Sequence, residues 1–339
     1  MRPSFTCCWG SISESSWKGD NNMPGHLTHD TSYFDIYERL PGQMKEQYAQ
    51  SWEQHRIFAQ GHDLLLFYMF LHLPKYPELQ DKLKIIEDNV QELAVNTIGL
   101  LRETGGAEAK LFLYGYLIHH FMDAKLHPLI IYETGDLRSD NKAQALHLLV
   151  ENMIDAYILK KNGADPMKFK IHHVIPSRQG LSAETRAIVK TSFQETYGLE
   201  SFDVIFADYN RMSRTFFRTL RYDPHGLKKV LFKPLDAVLM GLFKPSILPF
   251  HFDGTECLDY LNLRKGPWTH PIDAAVVSTK SFDELYEDGV NETAGMISML
   301  DQAILDRAGD AQLRSIIPNI SSIHGRASGL EYQFSHVKH

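Results

Sequence analysis

The sequence predicts an all-α protein, and three observations carry that expectation. Apolar residues recur at helical spacing over long stretches, as in 78–103 with Leu79, Leu83, Ile86, Val90, Leu93, Ile98 and Leu101. Sustained period-2 alternation bounded by turn residues is missing along the chain. Glycine and proline sit where helices would stop: Pro41-Gly42, Pro74, Pro77, Gly105-Gly106, Pro128 and Asn162-Gly163.

Taken in order, residues 1–22 show no period and are rich in Ser, Gly and Asn, so they read as a disordered extension or a mis-assigned start. KGDNN just before Met23 fits a ribosome-binding site translated in frame, which would make MPGHLTHD the true beginning. A short helix is expected over 31–40 and another over 44–57. FAQGHDLLLFYMFLHL then breaks at Gly61 before a strongly apolar run. The helix of 78–103 stops at the glycine pair. The next begins near 107 and should end near His127, because Pro128 disfavours helical backbone at the residue before it. Ser139 or Asp140 can cap a helix that runs to Asn162-Gly163. Further helices are expected over 182–197, 201–221 and 281–308, with a loop-rich segment at 251–275 and an irregular tail at 311–339. The organisation is one domain over 23–310.

The apolar fraction of 43% and charged fraction of 23% are those of a globular protein. A net charge of −7 without a basic stripe argues against nucleic acid as a partner. Cys7, Cys8 and Cys257 make no disulfide framework, and the N-terminus shows no secretory signal. The expected location is therefore cytoplasmic. Residues 226–250 mix Leu, Val, Phe and Met with Lys228, Lys229, Lys233 and Lys244. They fit peripheral contact with a membrane surface, or a buried helix pair whose lysine stems reach water; the second is the preferred reading.

Two helical lines point to chemistry. In GYLIHHFMDAKLHP, His119, Asp123 and His127 stand at i, i+4 and i+8, nearly on one face. In HLLVENMID, His147, Glu151 and Asp155 repeat the spacing. One such line is commonly a surface pair. Two in succession within apolar helices are harder to explain that way, because buried charge is costly unless paired or metal-bound. Imidazoles with carboxylates suit zinc, and a bridging carboxylate can hold two cations that activate water and clamp a phosphoester. Asp63, in the GHD turn, is the candidate for a further ligand or general base. His26 and His270 are weaker candidates: a solvated His near the N-terminus, and a loop His that lines the cleft or caps a helix.

These residues resemble the zinc-dependent phospholipase C family, related in fold to P1-type nucleases. The likeness runs in order through Met23-Pro24 to Thr28-His29, Gly61-His62-Asp63, His119 to Pro128, His147 to Asp155, and DYLNLRKGPWTHP at 259–271. It implies a multi-helix bundle with the site in an interhelical cleft. It also implies two or three zinc ions, with manganese or iron as alternatives. His119 and Asp123 would bind the first metal, with Asp123 bridging to the third. His127, His147 and Glu151 would hold the second, and His29 belongs to the third. Asp63 would act as ligand or general base in hydrolysis of a phosphoester, phospholipid included. A P1-like nuclease or nucleotidase, and a non-catalytic metal protein, are the alternatives. The chain departs from the family's secreted members in three respects, the first being that it shows no secretion signal, which argues against an extracellular lecithinase role. An amine ligand at the mature N-terminus needs Pro24 to be free. A histidine expected on the helix after the G-x-D turn is missing: KIIEDNVQ offers only Glu87, Asp88 or Asn89, and His72 looks out of register.

Overall fold

The structure, a computed structural model, describes residues 26–65, 68, 82–136, 141–170, 172, 180–238, 246 and 249–338, without the side chains of 50, 53, 141, 237 and 238. Pro24, His72 and the caps proposed at Ser139 or Asp140 lie outside the described residues. The described part is mostly helical: α1 (His26–Arg39), α2 (Gly42–Gln54), a 3-10 turn (Arg56–Gln60), α3 (Val90–Thr104), α4 (Ala107–Thr134), α5 (Asn141–Lys161), α6 (Ala183–Tyr197), α7 (Phe202–Phe216), α8 (Leu227–Val238), α9 (Phe282–Leu305) and α10 (Asp310–Ile316).

The bundle is built around α4. Its apolar residues cover every face, from Leu111, Phe112 and Leu113 to Leu129, Ile130 and Ile131, so it can be stable only when surrounded. It is enclosed by α1, α3, α5, α6, α9 and the 3-10 turn. The turn reaches it at Gly115, where a Cβ would stand 2.5 Å from Phe58 Cβ. Two layers are then tied by one buried carboxylate. Asp301 Oδ1 on α9 accepts from Tyr48 Oη on α2 at 2.8 Å, and from Lys110 Nζ and Tyr114 Oη on α4 at 2.9 and 2.6 Å.

Four local expectations are corrected. Helix α4 does not end at His127 but runs through Pro128 to Thr134. Proline removes one hydrogen bond, to the carbonyl four residues earlier, Ala124. A Cβ at Gly325 would stand 2.3 Å from that oxygen, so the backbone of the C-terminal segment lies directly on the carbonyl that Pro128 leaves unbonded. The stretch 78–103 is not one helix: within it, a turn at 87–89 separates 82–86 from α3. Asn89 Nδ2 donates to Ile85 O at 3.0 Å, and Glu87 O accepts from Ser322 N at 2.9 Å, so side chain and tail take carbonyls there.

The loop-rich 251–275 contains strand β1 (Trp268–His270), which pairs antiparallel with β2 (Asp273–Ser278). With strands of three and six residues, no alternation was long enough to read. Finally, the tail expected to be irregular begins as helix, within α10, and its irregular remainder is held against α4: Lys338 N donates to Tyr132 O at 2.8 Å, and Lys338 Nζ pairs with Glu133 at 2.6 Å.

Candidate metal centre

Helix α1 brings His29 to the cleft, and it begins five residues earlier than the sequence suggests. The reason is a cap supplied from another helix. Asp155 on α5, fully buried, accepts from Thr28 N at 2.9 Å, Thr28 Oγ1 at 2.8 Å and Leu27 N at 3.4 Å. First-turn amides of a helix have no partner within it, and Asp155 satisfies two of them. The last residue of the second line is thus not a ligand but the fastening of the helix that carries one.

The turn at Gly61 places His62 and Asp63. Gly61 has φ 48°, and a Cβ there would stand 2.3 Å from the His119 ring, so the turn is pressed onto that imidazole. Helix α4 supplies His119, Asp123 and His127, and α5 supplies His147 and Glu151. Asp123 stands at the centre. Its Oδ1 is 3.2 Å from His29 Nε2 and 3.8 Å from His127 Nε2; its Oδ2 is 3.2 Å from His119 Nε2 and 3.9 Å from His62 Nε2. Glu151 Oε1 lies 3.1 Å from His147 Nε2 and 3.5 Å from His127 Nε2. Asp63 faces His119 at 3.8 Å and His26 at 3.9 Å.

Three donor groups result, each with its ligand atoms within 4.8 Å of one another: His29, His119 and Asp123; His62, Asp63 and His119; His127, His147 and Glu151. All seven residues singled out in the sequence therefore meet in one cleft. Asp123 touches imidazoles from three elements, in the position a bridging carboxylate needs.

The set fits metal on its own atoms. His119 Nδ1 donates to Ala59 O at 3.1 Å and His127 Nδ1 to Ser322 O at 2.8 Å. Such bonds fix the tautomer that leaves Nε2 as the electron-pair donor. His119 Nε2 is buried without any hydrogen-bond partner, an orphan that a cation would satisfy. Charge is balanced meanwhile by protons. Burial opposes charge on His127, but Asp123 and Glu151 outweigh it and push the ring up to about 10. Burial likewise works against ionised Asp123, yet His127, His119 and His29 hold it well below the usual carboxylate range. Burial pushes Asp63 up to about 8. Loading a cation here would release such protons.

No protein family, curated protein or solved structure matches the chain.

Sequence reasoning missed two contributors. His62, 3% exposed, was read only as the middle of the GHD turn, yet its ring lies 4.5 Å from that of His119. It stands in the turn beside Asp63, not on the helix after the turn where a histidine is expected, and its adjacency to Asp63 is the available signal. Glu87, Asp88 and Asn89 enter none of the donor groups found among the described residues. The tail was the second omission: Ser322 O and Ile320 O hold His127 and His120 from behind. His26 packs edge-on against Tyr209 and Phe217, and is half-buried rather than solvated. His270 Nε2 donates to His324 O at 2.9 Å, which joins the hairpin to the tail.

Replacing Asp155 with alanine strands the amides of Leu27 and Thr28. The expected cost is about 1–3 kcal/mol of stability, with metal affinity weakened roughly 10- to 100-fold through misplacement of His29. Urea unfolding and metal titration check both. Unchanged metal affinity would show that Asp155 does not position His29.

Proposed function

We propose that the chain is a metal-dependent phosphoester hydrolase of the zinc-dependent phospholipase C kind, with a bundle of that type. One observation supports this above others: imidazoles from α1, the Gly61 turn and α4 converge on a single shared carboxylate, Asp123, and one of them, His127, also faces Glu151 of α5. Mixed imidazole–carboxylate groups suit zinc, with manganese or iron able to substitute. His119, His62 and Asp63 would hold one cation, His127, His147 and Glu151 a second, and His29 with Asp123 a third. Bound cations supply the Lewis acidity that activates water and neutralises phosphate oxygens.

The chain's own residues do the rest. Asp63, its side chain 22% exposed at the edge of the cluster, is placed to orient a nucleophile or take its proton. Asp123 keeps the imidazoles of three elements at fixed separation. The backbone carbonyls of Ala59 and Ser322 keep two rings aimed inward.

The test is direct. Zinc, manganese and iron are measured in purified protein, full-length and beginning at Met23, and phosphomonoester, phosphodiester and phospholipid substrates are assayed with and without chelator. Stoichiometric metal and chelator-sensitive hydrolysis are expected, and His119→Ala and Glu151→Ala should each lose metal. Protein without metal ends the reading; metal without hydrolysis of any phosphoester assigns the site a non-catalytic role.

A further inference from the structure

Helix α8 is mounted inside out. At 3.6 residues per turn, Leu227, Val230, Leu231, Pro234 and Leu235 share one face. That face points to solvent: Leu227 and Val230 are 62% exposed, Leu231 61% and Leu235 44%. The charged side points into the protein. Lys229 Nζ donates to His251 O at 3.1 Å and stands 3.8 Å from the centre of the Phe252 ring, while Asp236 Oδ1 accepts from Ser246 N at 3.1 Å. Globular helices bury the apolar stripe and expose the charge, so this one presents a surface that water does not favour. The sequence favours a buried helix pair with lysines reaching water over 226–250; in α8, Lys229 instead reaches inward and the leucines outward.

The surroundings of the stripe identify what covers it. Lys233 and Lys228 lie on its two flanks, and Arg211, Arg214 and Arg218 are exposed on the preceding elements. Leaving out Lys229, which points inward, and Arg221, bonded to Asn152, residues 211–233 set Arg211, Arg214, Arg218, Lys228 and Lys233 against Asp223, with Arg211 paired to Asp208 at 2.7 Å, within a chain of net charge −7. Local positive charge beside exposed apolar residues complements an anionic lipid surface. A second copy fits poorly, because both cationic rims would face each other. The stripe, one face of a twelve-residue helix, also falls short of the roughly 800 Å² per partner of a stable dimer. No helix among the described residues is long and apolar enough to cross a membrane.

We propose that α8 lies flat in the headgroup region of an anionic bilayer, with Leu227, Val230, Leu231 and Leu235 inserted and Lys233 and Arg218 against lipid phosphates. The attachment does not depend on the metal reading, although the same wall borders the cluster through Tyr209 and Phe217, which pack on His26.

The test is flotation of the full chain with phosphatidylcholine vesicles, with and without phosphatidylglycerol. The chain is expected to float with the anionic vesicles, less with neutral ones, and less as salt rises. The double variant Val230→Asp/Leu231→Asp should weaken binding at least about tenfold, and Lys233→Glu should weaken it for anionic vesicles in particular. Both variants change exposed side chains, so circular dichroism and metal content should match the parent. Absence of flotation, or flotation indifferent to the double variant, overturns the proposal. A dimer in sedimentation that Leu231→Asp disperses also overturns it, since the stripe would then join two copies.

Discussion

On the proposed function, Asp123→Asn is expected to abolish metal binding and to lower hydrolysis by more than the roughly 100-fold that losing an outer partner of a ligand costs at most. The argument is geometric and electrostatic. Four imidazoles approach this carboxylate within 3.9 Å, two on each oxygen. An amide of the same shape keeps one acceptor, turns an –NH2 toward two ring nitrogens and removes the negative charge that offsets the cations. Metal content by plasma emission and turnover of a generic phosphodiester are the readouts, with circular dichroism to establish folding. A variant that retains its metal and its activity would show that the donor groups function separately and that Asp123 is a structural counter-charge.

The second large effect concerns stability. Asp301→Ala leaves the hydroxyls of Tyr48 and Tyr114 and the Lys110 ammonium without their shared acceptor, in a site where Asp301 is 3% exposed. Breaking a buried pair from one side costs about 3–5 kcal/mol, and the urea midpoint should fall accordingly. The pH dependence has a fixed sign. Burial alone would raise this carboxyl, but Tyr114, Lys110 and Tyr48 outweigh burial and hold it below the usual range. The folded value thus lies below the unfolded one of about 3.9. Its contribution is complete above that pH and is lost as pH falls from there through the folded value. Asp301→Ala should therefore flatten the acid limb of the stability curve, below about pH 4. Equal acid sensitivity in parent and variant would refute the assignment.

These two carboxylates differ in how visible they were. Asp123 stands between two histidines at helical spacing, so local periodicity alone put all three on one face. His147 and Glu151 were legible for the same reason. Asp301 carries no such signal, because its partners lie 187 to 253 residues away in sequence. His62 was legible in principle, next to Asp63, but a turn residue declares no face until the turn is pressed against α4 at Gly61.

Helix boundaries divided similarly. The start at 107 followed from the glycine pair just before it, and the end of α5 from Asn162-Gly163. The early start of α1, the passage of α4 through Pro128 and the turn at 87–89 did not follow. The first and last involve groups from elsewhere, Asp155 and Ser322, and at the second the Gly325 backbone lies close against the Ala124 carbonyl.

By itself, then, the sequence determined what short-range periodicity can determine: a helical protein and two facing lines of metal-type donors on α4 and α5. Which donors share a carboxylate, that the last residue of the second line fastens a helix instead of binding metal, and that α8 turns its leucines outward were decided only in three dimensions. Side chains one turn apart on a helix are neighbours by geometry. Neighbours from different helices are set by packing, and no spacing along the chain records it.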